Sequence, residues 1–293
     1  MVALACQLPA ATGVPLSRWS GPELAAEITK SGLAAPISPS SVLRILAGHP
    51  IKPWQYQSWI FPRDPDFAAK ASVILDLYQG HYQGRRLAPG DRVLSVDAKP
   101  SIQARTRCHP ASLPARGQPM RAEHEYDRAG ALALLAVLDV HTGTVPAAAT
   151  PPTTGIAPFM DVMGQVMAQE PYHSAPRVFV IVDNGSDHRG QAATGRLATA
   201  WPNAIMIHTP VHASWLNQAE IFFSIVQKKV IAPSDFASTA QLAATLLAFT
   251  ARYNQTARPF NWKYTAADLT RTLDRISAHQ QPAKPPATLP QAA

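Results

Sequence analysis

The chain has 293 residues, a formal charge of +7 and a pI near 9.6, and 46% of it is apolar. That composition excludes general disorder, and the length provides one large domain or two ordinary ones with material for a real core. Its best apolar stretch, Ala131–Val140, is interrupted by Asp139 and falls well short of the roughly 17 residues needed to span a bilayer. The opening residues, MVALACQLPAATGVPL, place no basic residue ahead of the apolar ones and make a poor secretory signal. Two cysteines, Cys6 and Cys108, exclude a disulfide scaffold, and no CxxC pair offers a zinc knuckle. These features predict a cytoplasmic protein without a membrane partner. Charged residues make up only 15%, yet the surplus is positive, which fits a polyanionic partner without naming it.

Twenty-eight prolines, roughly twice the usual share, mark the boundaries along the chain. Ser20-Gly21-Pro22-Glu23 opens a first helix, with Ser20 and Glu23 placed to form a capping box. Leu24, Ala25 and Ile28 supply its apolar stripe, and Gly32 ends it. Ser38-Pro39 opens a second helix, carried by Val42, Leu43, Ile45 and Leu46 and stopped by Gly48. Two short helices joined by a tight glycine-containing turn describe a helix-turn-helix within residues 1–50, in which Ser38, Ser40, Ser41 and Arg44 would meet DNA. An αα-hairpin packed on a larger domain fits the same pattern. Residues 50–65, PIKPWQYQSWIFPRDP, read as a linker, and the spacing of Phe67, Ala71, Ile74, Leu75 and Tyr78 predicts a helix over 66–82. Residues 51–90 thus connect the two parts.

The larger part spans 91–279. Val93–Asp97 reads as a buried strand ending in a carboxylate. Leu132–Val140, the His141-Thr142-Gly143 turn and Thr144-Val145 read as a hairpin. An amphipathic helix over Ile156–Gln169 precedes a second buried strand, Arg177–Asp183, again ending in a carboxylate. Helix His188–Ala200, strand Ala204–Ile207 and a long helix Ser214–Lys229 follow. This alternation predicts an α/β fold, a mixed sheet flanked by helices on both faces. Residues 280–293, QQPAKPPATLPQAA, lack any apolar period and read as a disordered tail.

Apolar strands that terminate in aspartate are the informative feature, because the crevice beyond strand ends is where sites form in open α/β sheets. Asp97 and Asp183 both sit there, and Asn184-Gly185-Ser186 makes a turn that exposes Asp183. A helix from Ser214 would align Asn217, Glu220 and Ser224 on one face and turn Trp215, Phe222 and Ile225 toward the core. Carboxylate oxygens of this kind suit a hard cation such as Mg²⁺. An aspartate after a strand is also a common turn or cap residue, and Asp64, Asp66, Asp139 and Asp161 read that way. His188, His208 and His212 lie close by in sequence, where a solitary histidine is usually structural.

The strings VDNGSDHRG, HTPVHASWLNQAEIFFSIVQKKV and RPFNWKYTAADL together resemble the DDE transposases of bacterial insertion sequences, in the insertion-sequence-630 branch of the mariner-like superfamily. The likeness continues in VLSVDAKPSIQARTR, EHEYDRAGALALLAVLDVHTG and IKPWQYQSWIFPRDPDFAAKASVILDLY, and covers about Trp19 to Ile276. It implies a ribonuclease-H-like core, a DDE endonuclease or polynucleotidyl transferase in which Asp97, Asp183 and Glu220 hold two divalent ions, Mg²⁺ or Mn²⁺. Asn184, His188, Asn217 and Lys99 fall on accompanying motif positions that support the metal ligands or touch DNA. Lys99, Arg105, Arg107, Arg189, Lys228 and Lys229 would grip phosphates. The implied partners are double-stranded DNA, as terminal inverted repeats and as target, and a second copy of the chain in a homodimer on that DNA. Two departures stand out. The family's Asp-Glu-Lys is Asp97-Ala98-Lys99 here, and one helix-turn-helix is legible where such proteins carry two. They leave an alternative: a catalytically impaired or truncated copy that only binds DNA.

Overall fold

The computed structural model describes residues 1–56, 62–185 and 188–280, with side chains through 278. It divides into two compact units, Met1–Phe61 and Pro62–Ala293.

The first unit is helical: α1 (Val2–Ala5), a 3₁₀ turn (Pro9–Thr12), α2 (Gly21–Lys30) and α3 (Pro39–Gly48). The capping box at Ser20 and Glu23 forms as its spacing dictates. Ser38 caps α3, accepting the Ser41 amide at 3.1 Å and bonding its hydroxyl at 3.0 Å. Trp19, Leu24, Ile28, Val42 and Leu46 are buried together, and Trp19 Nε1 donates to the Gln7 carbonyl. Two expectations change. Residues 31–38 separate the helices, a longer connection than the three or four residues of a helix-turn-helix. Leu43 is 40% exposed, because α3 buries only the stripe of Val42 and Leu46. Part of the expected linker, residues 57–61, lies outside the described residues.

The second unit begins with α4 (Phe67–Tyr78) and a small hairpin of β1 (His81–Tyr82) and β2 (Arg85–Arg86). Then come β3 (Arg92–Arg107), β4 (Tyr126–Asp139), β5 (Ala147–Ala149), α5 (Ile156–Met167), β6 (Val178–Val182), α6 (Gly190–Ala200), β7 (Ala204–His208), α7 (Ala219–Val226), α8 (Thr239–Asn254) and α9 (Ala266–Gln280). The main sheet has the order β5-β4-β3-β6-β7, antiparallel from β5 to β3 and parallel from β3 to β7. The unbroken apolar run of β6, buried at every position, is what a parallel strand covered on both faces requires.

Strand alternation assigns the two faces. Leu94, Val96, Leu135, Val137, Val178, Val180 and Val182 pack against α5 and α6. Leu132, Leu134, Ala136 and Leu138 pack beneath α7 and α8, while Val93, Phe179 and Ile181 pack beneath α4 and α9. The result is a three-layer α/β/α unit.

Four readings are corrected. β3 does not stop at Asp97 but continues to Arg107, because β4 pairs with it far beyond its parallel neighbour, with register shifts after Lys99 and Gln103. The strand returning beside β4 is Ala147–Ala149, not Thr144–Val145. Thr144 instead closes the turn by accepting the Asp139 amide. Asp139 takes the amides of His141 and Thr142 in the turn role expected of it, whereas Asp161 is exposed within α5. Asp64 is more than a cap: it is buried, paired with Lys70 at 2.9 Å, and accepts the amides of Asp66 and Val211. Among the described residues no helix is long and apolar enough to cross a membrane. The expected tail lies outside them beyond Gln280.

Candidate active site

The parallel register of β3 and β6 runs from Arg92 opposite Val178 to Ser95 opposite Ile181. Two residues further along each chain, Asp97 and Asp183 come side by side at the carboxyl end of β6. Alternation from Val93 and Ser95 puts Asp97 on the α4 and α7 face. It is 9% exposed, and its Oδ1 accepts the Ala98 amide at 2.7 Å. Burial pushes its pKa up to about 7; the Ala98 amide opposes this, the charges of Asp183 and Glu220 add to it, and His188 draws it back.

Asp183 behaves in the opposite way. Nε2 of His188 meets its Oδ1, and the Gly185 amide donates to the same oxygen at 2.8 Å. These contacts hold its carboxyl below the usual range against the effect of burial. His188 is buried, lies with its ring 5.3 Å from that of Phe159, and accepts His208 Nε2 on its carbonyl at 2.7 Å. Asn184 Nδ2 donates to the Thr209 carbonyl at 2.7 Å and pins the loop after β6 to the end of β7. Ser186 lies outside the described residues.

Glu220 projects from the first turn of α7 and is exposed. The helix carrying it does not start at Ser214. A 3₁₀ turn, Ser214–Leu216, gives way to an extended Asn217 with ψ of 113°, then α7, then a π turn over Gln227–Ile231. Asn217 is therefore not on the helix face of Glu220 but is fully buried. Ser95 Oγ donates to Asn217 Oδ1 at 2.7 Å, and Asn217 Nδ2 donates to the Val96 carbonyl at 2.8 Å. The amides of Ala219 and Gln218 donate to Asn217 Oδ1 and Ser95 Oγ, and Tyr78 donates to the Leu216 carbonyl at 2.6 Å. These bonds, made across the fold, break the helix and clamp the root of α7 to β3 two residues before Asp97. With the helix broken, Trp215 is 46% exposed, edge-on to Tyr264, rather than in the core. Phe222 is buried as expected, while Ile225 is only half-buried.

Ser95 and Tyr78 are the members of this clamp that motif reasoning missed. A serine inside the apolar run Val93-Leu94-Ser95-Val96 was the available signal, since a buried hydroxyl demands a partner.

All three carboxylates offer hard oxygen donors, and a cation among them would offset the burial and the mutual repulsion that raise Asp97, so the donor chemistry fits a divalent ion. The side chains are not drawn into a finished cage: among the described residues no three acidic, histidine or cysteine groups are set to hold one ion.

A family model described as DDE superfamily endonuclease matches residues 92–243, just over half of the chain. The chain belongs to this family. The matched stretch runs from the first residue of β3 into α8 and includes Asp97, Asp183 and Glu220. Solved structures similar to this DDE-family chain include the Mos1 mariner paired end complex with Mn, at 15% identity and a TM-score of 0.54, covering 88% of this chain and 72% of that one. The Mos1 strand transfer complex matches at 15% identity and 0.53, covering 89% and 71%. A pre-cleavage Mos1 transpososome matches at 16% and 0.50, covering 90% and 77%. At such identity the likeness establishes the fold, a ribonuclease-H-like mixed sheet flanked by helices. No curated protein matches the chain significantly.

The basic residues divide. Lys99 shares the face of Asp97 by alternation and is half-buried. Arg189, Lys228 and Lys229 are exposed, and Arg105 lies over the Tyr126 ring at 4.9 Å. Arg107 is structural rather than a phosphate grip, because it binds Asp235 at 2.6 Å and the Pro233 carbonyl at 2.5 Å. In the first unit, Ser40 and Arg44 are exposed on α3, while Ser38 and Ser41 are engaged with each other.

Proposed function

We propose that this DDE-family chain is a transposase of the insertion-sequence-630 branch, cutting and rejoining double-stranded DNA at the terminal inverted repeats of its element. The observation that carries this reading is the placement of Asp97 beside Asp183, with Glu220 close enough to act on Asp97 and its helix clamped to the same strand. Asp97, Asp183 and Glu220 would hold two Mg²⁺ or Mn²⁺ ions. When bound, such ions polarise the scissile phosphate and generate an attacking water or 3′-hydroxyl. His188 fixes the orientation of Asp183, and Asn217 with Ser95 holds the start of α7, the helix that carries Glu220. Lys99, on the same face, and the exposed Arg189, Lys228 and Lys229 would meet the phosphate backbone. Residues 91–279 would form the catalytic domain, and residues 1–50, through Ser40 and Arg44, would contribute DNA recognition. Two copies would bring two DNA ends together.

Ala98 stands where the family commonly has glutamate, the observation behind the alternative of an inert DNA-binding copy. Alternation answers it. Ala98 follows Leu94 and Val96 onto the α5 side and packs against that core, opposite Asp97. A carboxylate there would not join Asp97, so its loss leaves the oxygen set intact.

The test is cleavage of duplex DNA carrying the element's terminal repeats, with Mg²⁺ or Mn²⁺ supplied. Wild type should nick and join the repeats, and Asp183→Asn and Glu220→Gln should stay folded but inactive. Equal activity in all three would overturn the reading, and binding without cleavage by wild type would favour the inert copy.

A further inference from the structure

We propose that the end of the sheet remote from the carboxylates is a second contact site for the phosphate backbone of duplex DNA, built by Arg85, Arg86 and Arg92. The proposal rests on the DNA-directed function above but concerns residues that function does not use. Arg92 opens β3, five residues before Asp97, or about 17 Å away at the rise of a strand. Arg85 and Arg86 lie before the stretch matched by the family model.

The local sequence presents these side chains outward. Gln83 and Gly84 both take positive φ, 50° and 75°, as a two-residue turn closing Tyr82 onto Arg85 requires. The strand after the turn is exposed at both of its arginines. Two concavities flank the hairpin and share Arg86. One, of about 440 Å³, is lined by Arg86, Arg92 and His141 among others. The other, of about 450 Å³, is lined by Arg85, Arg86 and Arg177.

The nearby carboxylates are hydrogen-bonded within the fold rather than turned toward the hairpin arginines. Asp91 is buried and pairs with Arg177 at 2.5 Å, and it also accepts the Ala88 amide. Asp139 gives one oxygen to the amides of His141 and Thr142 and the other to Tyr172. Arg92 donates to the Pro89 and Asp91 carbonyls and feels the Asp91 charge, and among the described residues Arg85 and Arg86 have no ion pair. Four guanidiniums, Arg85, Arg86, Arg92 and Arg177, therefore face two carboxylates, Asp91 and Asp139, around the adjoining hollows, which leaves a surplus of positive charge.

The occupant follows from what the hollows offer. Guanidinium forks match phosphate oxygens. Among the described lining residues the tyrosine faces are closed to a base: the Tyr82 ring is flanked by Phe179 at 4.6 Å and Arg177 at 5.9 Å, and Tyr172 is buried. Two linked hollows sharing one arginine suit successive phosphates of a strand better than one nucleotide.

The experiment measures binding of the full chain to a mixed-sequence duplex as a function of salt. Each phosphate contact adds about 0.9 to the slope of log K against log salt, so Arg85→Ala with Arg86→Ala should lower the slope by about 1.8 and weaken binding. Arg85→Lys with Arg86→Lys should keep the slope, and all variants should melt with wild type. An alanine variant that binds like wild type overturns the site while leaving the DNA-directed function standing. Loss of slope in the lysine variant too would trace the effect to hairpin shape and also overturn it. Saturable binding of inorganic phosphate with unaltered duplex binding would assign the arginines to a free anion instead. A wild type that binds no duplex at any salt removes the functional reading, and this one with it.

Discussion

Asn217→Ala probes the clamp between β3 and α7. Asn217 is fully buried, accepts from Ser95 Oγ and the Ala219 amide, and donates to the Val96 carbonyl. Alanine leaves the Ala219 amide and the Val96 carbonyl without these partners in a dry environment, while Ser95 Oγ keeps the Gln218 amide and has the Tyr78 hydroxyl at 3.5 Å. A buried polar group left unpaired costs about 1–3 kcal/mol, so the pair costs about 2–6 kcal/mol. For a unit of this size 1 kcal/mol lowers Tm by about 2–4 °C, which gives a fall of about 4–24 °C. Thermal and urea melts followed by circular dichroism, without added metal, read this directly. Ser224→Ala, at an exposed position on α7, is the control and should move the melt little. Below the lowered Tm, Asn217→Ala should also lose strand cleavage, because α7, which carries Glu220, is no longer clamped to β3. A Tm shift no larger than that of Ser224→Ala would show that the clamp does not hold α7 to β3.

Three further outcomes are expected. Gly143 sits at φ 72°, and a Cβ there would lie 2.0 Å from the Arg258 carbonyl oxygen, so Gly143→Ala must displace backbone; it should yield little soluble protein, and wild-type solubility and melting would contradict this. Phe222→Ala empties a fully buried position under α7 and should cost about 3–5 kcal/mol in a urea melt, against which a loss below 1 kcal/mol would count. The Arg177 partner holds Asp91 below its ordinary pKa, so this carboxylate stabilises the fold above the unfolded value of about 3.9 and ceases to as pH falls through its lowered native value. Asp91→Asn should therefore be less stable at neutral pH and lose less on acidification below pH 4, and parallel stability curves for the two proteins would sink the idea.

The carboxylate-bearing strands were legible because burial leaves a strong local trace. Val178–Val182 is apolar at every position, which only a strand covered on both faces tolerates, and the following Asp183 marks where cover ends. Capping at Ser20 and Ser38 was equally local. What escaped depended on partners distant in sequence. The helical period through Ser214–Lys229 is real, but Ser95 and Val96 capture Asn217 and break it. Val93–Asp97 shows no sign of its own that β4 will carry the strand on to Arg107. The β1–β2 hairpin leaves only the Gln83-Gly84 turn as a local trace, and α8 and α9 take their places from partners distant in sequence. In the site, the pairing of Asp97 with Asp183 was readable from strand ends, whereas the His188 contact with Asp183 was implied only by the resemblance, which put His188 on a position that supports the ligands or touches DNA.

In the proposed function Asp97, Asp183 and Glu220 together bind divalent metal for phosphoryl transfer. Anomalous diffraction from crystals of the protein soaked in Mn²⁺ tests it most directly, with Asp183→Asn crystals as comparison. The expected result is a peak within about 2.1 Å of oxygens from Asp97 and Asp183, with Glu220 drawn toward it, that vanishes in the variant. A saturated crystal with no peak between those two aspartates, or with the same peak in Asp183→Asn, contradicts the claim.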